Sequence, residues 1–132
     1  MGLAALIAID SSAVVAIIMA EPEASIFDTL ISERNGVMTT ANALEVHLAL
    51  SKYRKADYAR RWLQEAGISL YPVDLNLLTL ARDAHDRFGR GNHPARLNFG
   101  DCFSYALAKA TGYPLLFKGD DFGRTDVEVA IT

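Results

Sequence analysis

Asp10, Glu45, Asp101 and the tandem pair Asp120–Asp121 lie in four separate stretches of this 132-residue chain. Each stands against apolar sequence: Ile9 precedes Asp10, Leu44 and Val46 flank Glu45, Cys102 and Phe103 follow Asp101, and Phe117 and Phe122 bracket the pair. Carboxylates gathered in one crevice repel each other and cannot all stay ionised without a counter-charge. A hard divalent cation supplies that charge, and Mg²⁺ suits such a site because it keeps several waters and needs only one or two protein carboxylates. The cation makes water more acidic for attack on phosphorus and offsets charge on the departing oxygen, which points to phosphodiester hydrolysis. Zinc fits poorly, because His47, His85 and His93 are scattered and Cys102 is the only cysteine.

Every one of these acids also has a plain structural reading. Asp10 reads equally as a helix cap, Asp101 as a first-turn acid complementing the helix dipole, and Asp120 and Asp121 as turn residues. Glu45 is harder to explain that way, since it sits in an apolar helical stretch with Leu44, Val46 and Leu48. Ser104, one turn after Asp101, reads as an ordinary helix serine, and Cys102 as core. Trp62 and the tyrosines read as core or dimer packing before base stacking.

The elements that must position these acids alternate between strand and helix. Ala4 to Ile9 is a continuous apolar run, the pattern of a strand buried on both faces. Asp10-Ser11-Ser12 supplies capping chemistry for a helix over Ala13 to Ala20, which Pro22 stops. A second helix is predicted over Glu23 to Glu33, with Ile26, Phe27, Leu30 and Ile31 on one face, then a strand over Val37 to Thr39. Thr40 or Asn42 can cap the next helix, which runs to about Tyr53 with Leu44, Leu48 and Leu50 among its apolar positions. A helix over Ala56 to Ala66 and a strand over Ile68 to Tyr71 follow, and Asp74 opens a helix carrying Leu77, Leu78, Ala81 and Phe88. Gly89 to Phe99 is the longest loop. A helix over Asp101 to Thr111, a strand over Leu115 to Phe117, a loop over Lys118 to Asp126 and a last strand over Val127 to Ile131 complete the chain. This alternation predicts an α/β fold: a three-layer α/β/α sandwich with a mainly parallel sheet in a single domain spanning residues 1–132. In open sheets of this kind the ligand crevice lies at the strand-to-helix edge, where Asp10 falls. Asp101 reaches that edge only if the preceding loop crosses over.

Composition narrows the partner. The chain is 51% hydrophobic and carries a formal charge of −3, which excludes disorder and a strongly basic nucleic-acid protein. The charge is uneven, however. Lys52 to Arg96 holds nine basic and five acidic residues, a balance of +4 against −7 for the remainder. Arg60, Arg61, Arg87 and Arg90 in that window are candidates to hold a polyanion beside the acidic flanks. A lone cysteine excludes an internal disulfide and suits a reducing compartment. Asp10 breaks the apolar start of the chain, and no Lys or Arg precedes it, so a membrane span and a secretory signal both fit poorly. A cytoplasmic location is expected, with no membrane partner.

Four blocks carry a family likeness: Ile9-Asp10-Ser11-Ser12-Ala13 with Ala20-Glu21-Pro22-Glu23; Ala43-Leu44-Glu45-Val46; Asn98-Phe99-Gly100-Asp101-Cys102-Phe103-Ser104-Tyr105-Ala106-Leu107-Ala108; and Leu115-Leu116-Phe117-Lys118-Gly119-Asp120-Asp121-Phe122 with Thr125-Asp126. In this order and spacing the chain resembles the PIN-domain ribonucleases, most closely the VapC toxins of toxin–antitoxin pairs. The resemblance implies an acidic crevice that binds Mg²⁺ or Mn²⁺ and cuts RNA, with Asp10, Glu45 and Asp101 as metal-site acids. A fourth acid falls on Asp121, with Asp120 as its rival. It also implies a homodimer and a cognate antitoxin protein.

Two other readings stand beside this one. The first is a phosphatase or phosphotransferase using Asp10 as nucleophile, although Ser12 stands where the acid-phosphatase pattern wants a second Asp. The second is a non-enzymatic α/β module whose acids bind a basic partner. No phosphate loop is completed around Gly89-Arg90-Gly91, and no G-x-S-x-G elbow is present.

Overall fold

In the computed structural model of the chain, residues 6–131 are described. Strand β1 (Ile7–Ile9) is the described part of the run predicted from Ala4; Ala4 and Ala5 lie outside the described residues. The next elements are α1 (Ser11–Ile18), α2 (Ala24–Arg34), β2 (Gly36–Thr39), α3 (Thr40–Ser51), α4 (Ala56–Glu65) and β3 (Ser69–Tyr71). Then come α5 (Leu75–Phe88), α6 (Phe99–Thr111), β4 (Leu115–Leu116) and a 3₁₀ turn over Phe122–Arg124. No helix among the described residues is long and apolar enough to cross a membrane.

The four strands form a parallel sheet in the order β3-β2-β1-β4, with Ala8 opposite Val37 on one side and Leu115 on the other. Its two faces follow directly from the alternation of side chains along a strand. Ile7, Ile9, Met38 and Leu116 enter the core under α1–α4, while Ala8 and Leu115 enter the core under α5 and α6. The result is the expected α/β/α sandwich. Chain order reverses beside β1, with β2 and β3 laid down on one side and β4 on the other. That reversal opens a crevice beyond the carboxyl ends of β1 and β4.

The helices bear the marks of their local chemistry. Asp10 caps α1, Thr39 caps α3 by accepting from Asn42 N at 2.9 Å, and Asp74 caps α5 by accepting from Leu77 N at 2.8 Å. The cap of α3 is therefore Thr39 rather than Thr40 or Asn42. Helix α6 begins at Phe99, two residues before the predicted start, because Asn98 and Asp101 form a reciprocal capping box. It ends at Gly112, whose φ of +74° suits a residue without a side chain.

Several predictions of burial and pairing are corrected. Leu44 and Leu48 are 58% and 64% exposed, since the buried line of α3 runs through Asn42, Val46 and Leu50 at four-residue spacing. Ile26 on α2 is exposed as well, whereas Phe27 and Ile31 are buried. Val127 to Ile131 is not a strand. Edge strand β4 has only two residues, so the segment makes one parallel bridge, Leu115 with Val129. The loop before α6 does not cross over as an extended segment. Leu97 N donates to Phe88 O and Arg90 N to Leu97 O, both at 3.0 Å, so its two ends meet and α6 starts near the end of α5.

Ile9 lies at the centre of the first core with no exposed surface. Ile9→Ala is expected to lower unfolding free energy by about 2–5 kcal/mol, as the cavity adds to the lost transfer energy. Urea denaturation followed by circular dichroism measures it; a loss below about 1 kcal/mol would contradict this packing.

Candidate active site

Asp10 is the last residue before α1 and is 2% exposed. Its backbone N donates to Leu116 O at 2.9 Å, which fixes it between β1 and β4. A carboxylate taken out of water needs donors. Asp10 Oδ2 accepts from Ser12 N at 3.0 Å, and Oδ1 accepts from the buried Ser104 hydroxyl on α6. Burial still raises the Asp10 pKa; the serine bonds oppose that rise and the nearby Glu45 charge adds to it.

Glu45 is held from two elements. Its Oε1 accepts from the Ser11 hydroxyl of α1 and from Asn42 Nδ2 at 3.2 Å, one turn back on α3. The same Asn42 amide donates to Gly100 O at 3.0 Å, and Thr39 Oγ1 donates to Asn42 Oδ1 at 2.5 Å. Buried Asn42 thus ties α3 to the first turn of α6. Gly100 permits this approach, because a Cβ there would fall inside the Glu45 carboxylate and push it from its bonds to Ser11 and Asn42.

Helix α6 therefore sets Gly100 against Glu45 and Ser104 against Asp10, with Asp101 between them in sequence. Asp101 Oδ2 accepts from Asn98 N at 3.0 Å. Its pKa is pushed up to about 7, first by burial and then by the charges of Asp10, Asp121 and Glu45, against the lowering effect of the Asn98 bond. Asp121, exposed, stands just before the 3₁₀ turn, where its backbone O accepts from Arg124 N at 3.3 Å; Asp120 is exposed too. Among the described residues no three His, Cys, Asp or Glu side chains are gathered tightly enough to enclose an ion by themselves. The acids stand within electrostatic reach of each other around the crevice.

The loop after β4 is tied to α1. Lys118 N donates to Ser12 Oγ at 3.0 Å, while its ammonium donates to Glu21 at 2.9 Å and lies 3.4 Å from Glu23. Those bonds anchor the segment leading into Asp120 and Asp121.

The chain matches the PIN domain family over residues 7–128. It is 43% identical over 123 residues to "Ribonuclease VapC" of Mycolicibacterium smegmatis, covering 90% of this chain and 95% of that protein. "Ribonuclease VapC30" of Mycobacterium tuberculosis is 42% identical, with 90% and 94% covered. The chain belongs to the PIN-domain family, among the VapC ribonucleases. Solved structures share the fold. A toxin–antitoxin complex from Klebsiella pneumoniae superposes with a TM-score of 0.73 at 14% identity, covering 94% of this chain and 96% of that one. VapC20 of Mycobacterium tuberculosis, described as a Sarcin-Ricin loop cleaving toxin, gives 0.70 at 20%, covering 93% and 98%.

Within this PIN domain the structure brings Asp10, Glu45 and Asp101 to one edge of the sheet, with Asp121 close enough to act on Asp101. Ser104 is not an ordinary helix serine but the donor to Asp10. Asn42 is not the cap of α3 but the link between Glu45 and Gly100. Only the i+3 spacing of Ser104 from Asp101 signalled any of this in the sequence. Among the four arginines expected to hold a polyanion, Arg60 pairs with Asp57 at 3.3 Å, and Arg87 is engaged by Asp83, Asp126 and the Tyr105 hydroxyl. Trp62, partly buried, packs against the first core.

Asp101 ionises near 3.8 in an unfolded chain but near 7 when folded, so the folded state holds the extra proton between those values. Stability contributed by the protonated form falls as pH rises through that window. In chelator, Asp101→Asn is expected to raise Tm by roughly 5 °C at pH 8 and by much less at pH 4. Scanning calorimetry checks this; an equal or lower Tm at pH 8 would contradict the burial and crowding of this carboxyl.

Proposed function

We propose that this PIN domain, residues 1–132 acting as one unit, is a divalent-metal-dependent endoribonuclease that hydrolyses RNA phosphodiester bonds as the toxin of a toxin–antitoxin pair. One observation carries the reading: the first turns of α6 bear simultaneously on Glu45, through Gly100, and on Asp10, through Ser104. Acids from three distant stretches thereby face one crevice at the chain reversal beside β1.

The donor set fits Mg²⁺ or Mn²⁺. It is made of carboxylate oxygens, and the pKa values of Asp10 and Asp101, raised first by burial and then by neighbouring acids, mark a crowding of negative charge that a cation complements. Asp10, Glu45, Asp101 and Asp121 would hold it; for Asp121 over Asp120, the support is its action on Asp101. When bound, the cation supplies stabilisation of charge on phosphoryl oxygens and a more acidic water.

The remaining work falls to the chain. Ser104 and Ser12 N keep Asp10 in one orientation, and Ser11 with Asn42 hold Glu45 through Oε1 alone. Glu45 Oε2 and Asp101 Oδ1 have no hydrogen-bond donor among the described residues, so each acid keeps an oxygen available to a ligand. Asp10 is poorly disposed as a phosphotransfer nucleophile, since both its oxygens are engaged and the residue is buried.

An antitoxin protein and a second copy of the chain are the proposed protein partners. Support for the first is the Klebsiella toxin–antitoxin complex of the same fold. For the second it is the exposed Leu44 and Leu48 on α3, an apolar pair suited to a covering chain. The proposed location is the cytoplasm.

RNA cleavage is expected to stop on adding chelator, and Asp10→Asn and Asp101→Asn are each expected to slow it about 100-fold or more while the protein stays folded. A gel assay on labelled single-stranded RNA decides the matter. If both variants cut as fast as the parent chain, the nuclease reading fails; an acid-labile phosphoryl adduct on Asp10 would replace it with phosphotransfer.

A further inference from the structure

A groove of about 660 Å³ runs between α5 and α6. Its apolar lining includes Leu78, Ala81, Leu97 and Phe103. Phe99 stands at its rim with 81% of its surface exposed, edge-on to Phe103 at a centroid distance of 5.2 Å. A phenylalanine so bared to water has no structural role in starting α6, whose cap is built by Asn98 and Asp101. Phe99 and Asp101 are two residues apart at the start of α6 and point to different sides of it, so the groove and the acids flank the same helix end.

The polar rim is mainly basic: Arg82, His85 and Arg90, with Asp86 as the one opposing charge. Among the described residues Arg82 and Arg90 enter no ion pair, in contrast to Arg60 and Arg87. An apolar slot with an exposed aromatic edge and uncommitted guanidinium groups matches an unpaired nucleotide, whose base stacks and whose phosphate pairs with arginine. Charge complementarity favours this occupant over an apolar protein segment, which would leave both arginines unanswered.

We propose that the α5–α6 groove is a nucleobase subsite for single-stranded RNA, with Phe99 as the stacking platform and Arg82 and Arg90 holding the adjacent phosphates. The subsite rests on the nuclease reading above and extends it, by assigning a second stretch of substrate, across the start of α6 from the acids. It also moves the substrate grip away from Arg60 and Arg87, which are already paired, to two arginines that line the groove and enter no ion pair among the described residues.

Binding of a fluorescein-labelled, mixed-sequence, ten-nucleotide single-stranded RNA to the full chain in chelator tests the subsite by anisotropy. Phe99→Ala is expected to weaken binding about tenfold, and Phe99→Tyr to restore it. Arg82→Gln and Arg90→Gln should each reduce the salt dependence, by about 0.7 in the log–log slope for each phosphate no longer neutralised. In cleavage assays with Mg²⁺ or Mn²⁺, Phe99→Ala should raise KM and leave kcat within about twofold. Unchanged affinity and KM in folded Phe99→Ala, with the parent chain still cutting RNA, would overturn the subsite and leave the nuclease reading intact. Conversion of a dimer to a monomer by Phe99→Ala, seen by sedimentation with RNA affinity per chain unchanged, would also overturn it and assign the groove to a protein partner. A parent chain that binds this RNA through Phe99 yet cuts none with any divalent metal would keep the subsite and sink the nuclease reading instead.

Discussion

A carboxylate buried at the end of a central strand is the constraint around which this molecule is arranged. Asp10 is almost wholly shielded from water, and leaving such a group without donors would cost several kcal/mol. Its two donors come from opposite ends of the chain: the backbone of Ser12 next door and the hydroxyl of Ser104, 94 residues away. To deliver Ser104, α6 must pass beside the carboxyl end of β1, and its first turn then meets Glu45 at Gly100, where a Cβ would displace the carboxylate. Asn42 closes the circuit by linking Glu45 and Gly100. The placement of Asp101 is thus a consequence of satisfying Asp10. Stability is spent here, since both Asp10 and Asp101 are held at raised pKa. Such tension between burial and charge is characteristic of sites selected for binding over rigidity.

Local chemistry makes much of this visible in the sequence. The alternation of apolar runs with capped helices identifies the layered fold, because a strand buried on both faces has few other readings. Asp10, Glu45 and Asp101 are recognisable because each sits where apolar sequence makes a charge expensive. Long-range partners are not. Nothing near Ser104 in sequence says that its hydroxyl meets Asp10, and Asn42 and Gly100 take their meaning from residues 58 positions apart. Burial is misleading where helical spacing fits two faces: of the three leucines along α3 only Leu50 is buried, in line with Val46, while Leu44 and Leu48 form an exposed stripe. The alternation of Val127, Val129 and Ile131 reads as a strand, yet pairing depends on what the neighbour offers, and β4 offers one bridge.

The charged groups also divide by what already engages them. Asp126 is occupied by Tyr105, Arg87 and Lys109, and this cluster ties the segment after the 3₁₀ turn to α5 and α6. Lys118 is held by Glu21 and Glu23, fastening the loop that leads to Asp121. Arg82 and Arg90, which enter no ion pair among the described residues, line the groove between α5 and α6. The crevice is acidic and the groove across the start of α6 has a mainly basic rim, an arrangement that lets a polyanion be held near a site whose own charge would repel it.

Calorimetric titration of Mn²⁺ into the full chain at pH 8 bears most directly on the convergence of these acids. Saturable binding that Asp10→Asn and Glu45→Gln each remove, in variants that remain folded, is the result expected if residues from separate elements serve one cation. Binding left intact by both substitutions would show that these carboxylates meet for another reason.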